Sequence, residues 1–242
     1  MPADRSDHSL PAAIVDIDGT LVDSNYQHAL AWFRALRRHG VTHEVWRLHR
    51  LIGMGGDHVV EEVAGAEIEE RLGDEIRAAE QEAFGEMIEE VTALPRATEL
   101  LRALAAGGRR VVLATSAQQW QVDHYLELLD ARDIVHGWTT ADDVEASKPE
   151  PDLVRAAIAE AGGGPAVMVG DSTWDCISAA RAGIPTVSVL TGGFSREELV
   201  EAGAIAVYDS LDALIDGLAE TPLGAPANGQ GAQARTIRRP AS

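Results

Sequence analysis

The sequence predicts an α/β fold, a doubly wound parallel sheet interrupted near its start by an all-helical insert. Three observations carry this. From about residue 95 to 219, short apolar runs alternate with stretches of helical periodicity, the pattern of parallel strands joined by right-handed helical crossovers. No alternating β-branched run occurs between about 24 and 94, where helical spacing prevails instead. The first apolar run, Ala12-Ala13-Ile14-Val15, is followed at once by Asp16-Ile17-Asp18-Gly19-Thr20, polar residues where open parallel sheets bind their ligands.

In chain order, residues 1–10 are polar and read as loose, and the first strand ends at Asp16. Ala29, Trp32, Phe33 and Leu36 fall at three- and four-residue spacing, predicting a helix over Tyr26–His39 that Gly40 ends. Helical character continues over His43–Arg50. A glycine-rich break follows at Gly53-Met54-Gly55-Gly56, with Asp57 the expected N-cap of the next helix. Residues 57–90 are acidic and helical, and Leu94-Pro95 marks the return to the main body. Beyond it the pattern predicts helices over 97–106, 118–130, 151–161, 175–182 and 211–219. Strands are predicted over 110–114, 135–140, 166–169, 186–190 and 204–207. From Pro222 the composition of Gly, Ala, Pro, Gln and Arg predicts a disordered tail, 222–242.

A formal net charge of −19 argues against binding nucleic acid or an anionic membrane, and it obliges any anionic substrate to find a local positive site. Cys176 is the single cysteine, so no intramolecular disulfide forms, which fits a reducing compartment. There is no signal-peptide apolar core and no run of roughly 20 apolar residues. The expectation is a cytoplasmic protein. Lys148 is the only lysine among the 20 basic residues, a compact ammonium kept in a chain otherwise biased to arginine.

The candidate chemistry lies where strands end. Asp16 and Asp18 follow the first, Thr115 and Ser116 follow 110–114, and Gly170-Asp171-Ser172-Thr173-Trp174-Asp175 follows 166–169; Ser147-Lys148-Pro149 forms a charged loop between them. Two carboxylates one residue apart repel unless a cation, a shared proton or a strong donor lies between them. An isolated pair reads equally well as a polar turn. Gathered on one sheet edge, these residues present carboxylates, hydroxyls and an ammonium together.

Asp16-Ile17-Asp18-Gly19-Thr20-Leu21, Thr115, Lys148-Pro149 and Gly170-Asp171 with Asp175 resemble the four motifs of the haloacid dehalogenase-like (HAD) hydrolase superfamily, across nearly all of residues 12–210. The resemblance is to the C1-capped branch that includes phosphoglycolate phosphatase and β-phosphoglucomutase. It implies a Rossmann-like core over 1–22 and 95–221 and a helical cap over 23–94. It also implies catalysis through an aspartyl-phosphate on Asp16, with Asp18 as general acid and then base. Mg²⁺ would be held by Asp16, the Asp18 carbonyl and Asp171, while Asp175 supports either the metal shell or the lysine. Thr115 and Lys148 would bind the transferring phosphoryl group, with Ser116 completing the cradle. Thr115 directly follows the apolar run and is the hydroxyl preferred for motif II.

In the cap segment, Arg34, Arg37, Arg38, His39, His43, Arg47, His49 and Arg50 form a basic patch. It reads either as a solvated face paired with the acidic 57–90 block or as a place where Arg47 or Arg50 meets a remote substrate anion. The Gly53–Gly56 run is a substrate-facing loop or a helix breaker. His28 and Trp32 sit at an offset similar to that of the β-phosphoglucomutase branch; the simpler reading has one core-facing ring and one exposed histidine. The implied partner is a small phosphorylated metabolite, and the implied activity is a phosphatase, with a phosphosugar mutase as the alternative. A dehalogenase would need neither Asp18 nor a full acidic fourth motif, and a non-catalytic module would need none of these residues.

Overall fold

The computed structural model describes residues 10–224. Its order of elements is β1 (Ala12–Val15), β2 (Val22–Asp23), α1 (Asn25–Arg38), α2 (Val45–His49), α3 (Gly56–Ala64), α4 (Ala66–Gly85) and β3 (Thr92–Ala93). There follow α5 (Ala97–Ala105), β4 (Val111–Ala114), α6 (Gln119–Leu128), β5 (Gly137–Thr139), α7 (Asp152–Glu160) and β6 (Ala166–Gly170). The chain closes with α8 (Thr173–Ala182), β7 (Thr186–Val189), α9 (Arg196–Glu201), β8 (Ala204–Tyr208) and α10 (Leu211–Gly217).

Six strands form one parallel sheet in the order β5-β4-β1-β6-β7-β8. The strands are apolar almost throughout because both faces are covered, as parallel sheets require. Alternation divides them. Val15, Val111, Leu113, Val167 and Val169 join the core beneath α5, α6 and α10, whereas Ile14, Val112, Ala114 and Met168 pack on Leu153, Val154 and Ala157 of α7 and Ala179 of α8. From β1 the chain moves outward to β4 and β5, then crosses back to place β6 on the other side of β1. The carboxyl ends of β1, β4 and β6 therefore meet where the winding reverses.

The insert leaves and re-enters through a two-stranded antiparallel ribbon in which Val22 pairs with Ala93 and Asp23 with Thr92. These strands have two residues each, too short for any periodic signal, and sequence reading does not find them. Between them α1–α4 build a separate core around Trp32, Leu36, Leu48, Val60 and Ile76. Among the described residues no helix is long and apolar enough to cross a membrane.

Three expectations are corrected. Asp57 is not an N-cap: Gly55 holds that position for α3, and the Asp57 carboxylate instead accepts the backbone N–H of Ser147 (3.0 Å) and its hydroxyl. A loop from the main body offers a carboxylate two donors, more than a helix end would. Helix α9 was not expected, although Ser195 caps it and accepts from Glu198 N–H in a Ser-x-x-Glu capping box. The tail expected from Pro222 does not begin there, because Leu223 is buried in the main core and Arg109 reaches the Gly224 carbonyl. The remainder of that tail, and the loose residues 1–9, lie outside the described residues.

Candidate active site

Strand β1 delivers Asp16 to the centre of the sheet edge, and the turn after it sends Asp18 elsewhere. The N–H groups of Thr20, Leu21 and Val22 all converge on the Ile17 carbonyl, a tight turn that Gly19 permits with φ +77°. A Cβ at Gly19 would also lie 2.4 Å from an Asp171 oxygen, so only glycine fits on two counts.

Asp16 lies beside Lys148, whose ammonium is 2.6 Å from Asp16 Oδ1 and 2.7 Å from Asp175 Oδ1. The Lys148 side chain has 0% exposure, so the lone lysine is wholly enclosed between two carboxylates. Its pKa is raised, because those carboxylates outweigh the burial that would lower it. Asp175 is fixed in turn by accepting the Ser172 N–H (3.1 Å) and hydroxyl (2.7 Å) with Oδ2, in the capping box of α8. Asp171 accepts from Thr20 (2.6 Å) and Asn25 (3.4 Å). Asp16 Oδ2 is buried with no hydrogen-bond partner.

The two aspartates of the opening motif are driven apart electrostatically. Burial, then the Asp175 charge, pushes Asp16 well above the ordinary carboxylate range. Burial would raise Asp18 too, but donors overcome it and bring it down to about 2. Those donors are His28, whose Nε2 is 3.3 Å away, then Ser24 (2.6 Å) and Tyr125 (3.0 Å); Thr115 also donates to Asp18, at 3.2 Å. The other nitrogen of His28 lies 3.1 Å from Glu80, and the ring stacks on Phe84 at 3.8 Å. With a carboxylate at each nitrogen, both must donate, so the ring is an imidazolium. Burial would lower its pKa, yet the bonds to Asp18 and Glu80 lift it to about 9. The expectation of an exposed His28 fails because this ring bridges insert and sheet.

The motif II hydroxyls also separate. Thr115 donates to Asp18 and accepts from Ala117 N–H (3.0 Å), whereas the buried Ser116 hydroxyl has no partner.

A cavity of about 240 Å³ opens over these groups, roofed by the insert. Asp16, Asp18, His28, Ser116, Thr115 and Lys148 all line it, as do Trp32 and Gly53. Arg47 and Arg50 do not. Arg47 is exposed, lies over Trp46 and pairs with Glu44, while Arg38 and His39 pair with Glu82 and Glu75 of α4. The acidic helix thus takes up part of the basic patch. Arg50 crosses instead to the main body, donating to the Gly193 carbonyl (3.0 Å), pairing with Glu198 and lying 3.9 Å over Phe194. Such a half-buried ion pair and cation–π contact together favour the docked insert by about 1–2 kcal/mol. Arg50→Ala is therefore expected to raise KM severalfold with a loss of under about 2 kcal/mol in urea unfolding; an unchanged KM would deny the latch a part in substrate enclosure.

Sequence reading missed Arg77, Glu80 and Gln81 of α4 and Gln118 and Gln121 of the loop and helix after β4, which also line the cavity. Positions 77, 80 and 81 share a helix face at three- and four-residue spacing, but only the folding of the insert shows that this face looks inward.

A family model described as haloacid dehalogenase-like hydrolase matches residues 10–183. The chain belongs to this family. Among its relatives is a phosphoglycolate phosphatase of Rhodospirillum rubrum, 31% identical over 86% of this chain and 90% of that protein. A validoxylamine A 7'-phosphate phosphatase of Streptomyces hygroscopicus subsp. limoneus is 27% identical over 80% of this chain and 91% of that protein. The crystal structure of a hydrolase from Pseudomonas syringae superposes with a TM-score of 0.81 at 32% identity, covering 87% of this chain and 98% of that one.

In this HAD-like hydrolase one carboxylate oxygen from each of Asp16, Asp171 and Asp175 lies within 4.8 Å of the other two, and all three residues are buried. Oxygen donors of that charge suit a hard divalent cation. The orphaned Asp16 Oδ2 and an Asp171 pKa lifted to about 7, by burial and then by Asp175, are what a cluster short of positive charge produces. The residues present fit a metal ion.

Proposed function

We propose that this enzyme is a Mg²⁺-dependent phosphatase that hydrolyses a small organic phosphate monoester through an aspartyl-phosphate on Asp16. The observation that carries the reading is the contrast between the two aspartates: Asp16 keeps one oxygen free beside an enclosed ammonium, while Asp18 sits in a separate set of donors. The phosphatase names of the relatives support it.

Asp16 Oδ2 attacks phosphorus and the bond to the leaving alkoxide breaks. Lys148 and the unpaired Ser116 hydroxyl donate to the phosphoryl oxygens, with Thr115 joining when a phosphoryl oxygen replaces Asp18 as its acceptor. Asp18 is ionised, but His28 holds a proton 3.3 Å away. The pair therefore carries one transferable proton, which reaches the alkoxide through Asp18. Asp18 then accepts a proton from the water that cleaves the aspartyl-phosphate and regenerates Asp16. Mg²⁺ held by Asp16, the Asp18 carbonyl and Asp171 would offset the charge of a dianionic phosphate facing three carboxylates.

The test is phosphate release across a panel of metabolite phosphates with Mg²⁺. Stoichiometric phosphate supports hydrolysis. Isomerisation of a sugar phosphate without phosphate release would favour the mutase alternative, which rests on His28 beside Asp18.

Metal binding also sets a pH dependence. In the metal-free protein, the raised pKa of Asp171 gives a stabilising contribution that is complete below its unfolded value, near 3.9, and is lost as pH rises through about 7. The Tm increase on adding Mg²⁺ is therefore expected to be larger at pH 8 than at pH 5.5. An equal increase at both would remove the carboxylates as the metal's ligands.

A further inference from the structure

The lining that the insert and its facing loops add to the cavity is short of free positive charge. Its one guanidinium, Arg77, is already held by Glu69 (2.9 Å) and Asp74 (2.8 Å). His28 is likewise held, between Asp18 and Glu80. Asp57 and Glu145 add two more carboxylates to the wall. A second anion on the substrate, such as a carboxylate next to the phosphate, would meet acids there and no unpaired cation among the described residues.

The rest of this wall has a different chemistry. Trp32 offers an indole beside Ile52 and Met54, and Val144 adds a further aliphatic side chain to the lining. Gln81, Gln118 and Gln121 offer amides; the Gln118 oxygen already accepts from Trp120 (2.9 Å) and the Gln121 oxygen from the Gln118 N–H (2.7 Å), which leaves the amide N–H groups of both as donors. Amide donors and carboxylate acceptors together match hydroxyl groups, which both accept and donate, and an indole with aliphatic neighbours matches the C–H face of a saturated ring. The cavity, about 240 Å³, falls below the roughly 300–1,000 Å³ of pockets for drug-sized ligands and suits a single ring.

We propose that the substrate is the phosphate ester of a neutral polyhydroxylated ring, a sugar or cyclitol, and that the wall formed by Trp32, Gln81, Glu80, Gln118 and Asp57 selects it over phosphates bearing a second anion. This rests on the phosphatase reading above and departs from the phosphoglycolate named for several relatives.

The experiment compares kcat/KM with Mg²⁺ for glucose 6-phosphate, myo-inositol 1-phosphate, 2-phosphoglycolate, 3-phosphoglycerate and p-nitrophenyl phosphate, on the full chain and on Gln81→Lys. At least one ring polyol phosphate is expected to exceed 2-phosphoglycolate by about tenfold or more. Gln81→Lys supplies the missing cation and is expected to narrow that ratio by about tenfold, the effect of about 1.4 kcal/mol. Preference for either acidic phosphate by the full chain, or a ratio that Gln81→Lys does not move, would overturn the proposal. Turnover of p-nitrophenyl phosphate and the acids but of no polyol phosphate sinks the proposal alone, whereas no turnover of any ester sinks the phosphatase reading with it.

Discussion

Replacing Asp16 with Asn is expected to reduce turnover by about 10⁴-fold or more while leaving the fold intact. The size follows from removing the nucleophile of a covalent mechanism, where the remaining groups still bind substrate but have no bond to make. The structural half of the prediction follows from the charges around it. Asp16, Asp171 and Asp175 crowd together with one ammonium, which pairs with Asp16 and Asp175 alone, and burial already pushes Asp16 toward its neutral form. An amide keeps the shape, removes one of three mutually repelling carboxylates and leaves Lys148 paired with Asp175. The metal-free Tm at pH 8 is thus expected to be no lower than that of the parent, and the Tm increase on adding Mg²⁺ to shrink because a ligand is gone. Retained activity would show that Asp16 is not the nucleophile. A collapse of Tm would show that its charge is structural.

What the sequence made legible was whatever covalent adjacency secures. Asp16 must follow β1, Asp171 must follow β6, and a strand buried on both faces is an apolar run that can be read directly. The parallel order then brings these ends together without further information. Contacts decided by how separate elements dock were not legible. Arg50 sits in a basic patch and close to the glycine loop, both of which suggested a ligand, yet its partners lie on the loop after β7 and on α9, more than 140 residues away. Arg77 and Glu80 sit in an acidic helix with no local sign of a function, and they reach the cavity only because α4 packs back along α1. Asp57 shows the same limit: the preference of aspartate for helix N-termini is real, but the N–H and hydroxyl of Ser147, 90 residues away in the chain, compete for it and win.

Lys148→Met is expected to cost about 3–5 kcal/mol in the metal-free protein, measured by urea unfolding at pH 8, the penalty for leaving a buried charge without its partner. With total stabilities of about 5–15 kcal/mol, that is a large fraction. The ammonium is fully enclosed at 2.6 and 2.7 Å from two carboxylates. The loss is expected to be smaller at pH 5.5, because Asp16 and Asp171, both already raised by burial, then take up protons and no longer repel. Mg²⁺ is expected to restore part of the stability and little of the activity, since a cation among Asp16 and Asp171 does not replace the donor that Lys148 aims at the phosphoryl group. Lys148→Arg separates charge from shape. In a chain with 19 arginines and one lysine, a planar guanidinium needs room that a site with no exposure lacks. It is therefore expected to recover less than half of the lost stability and no more than about a hundredth of the activity. Full rescue by arginine would mean that any positive charge serves here, and the retention of this one lysine would need another cause.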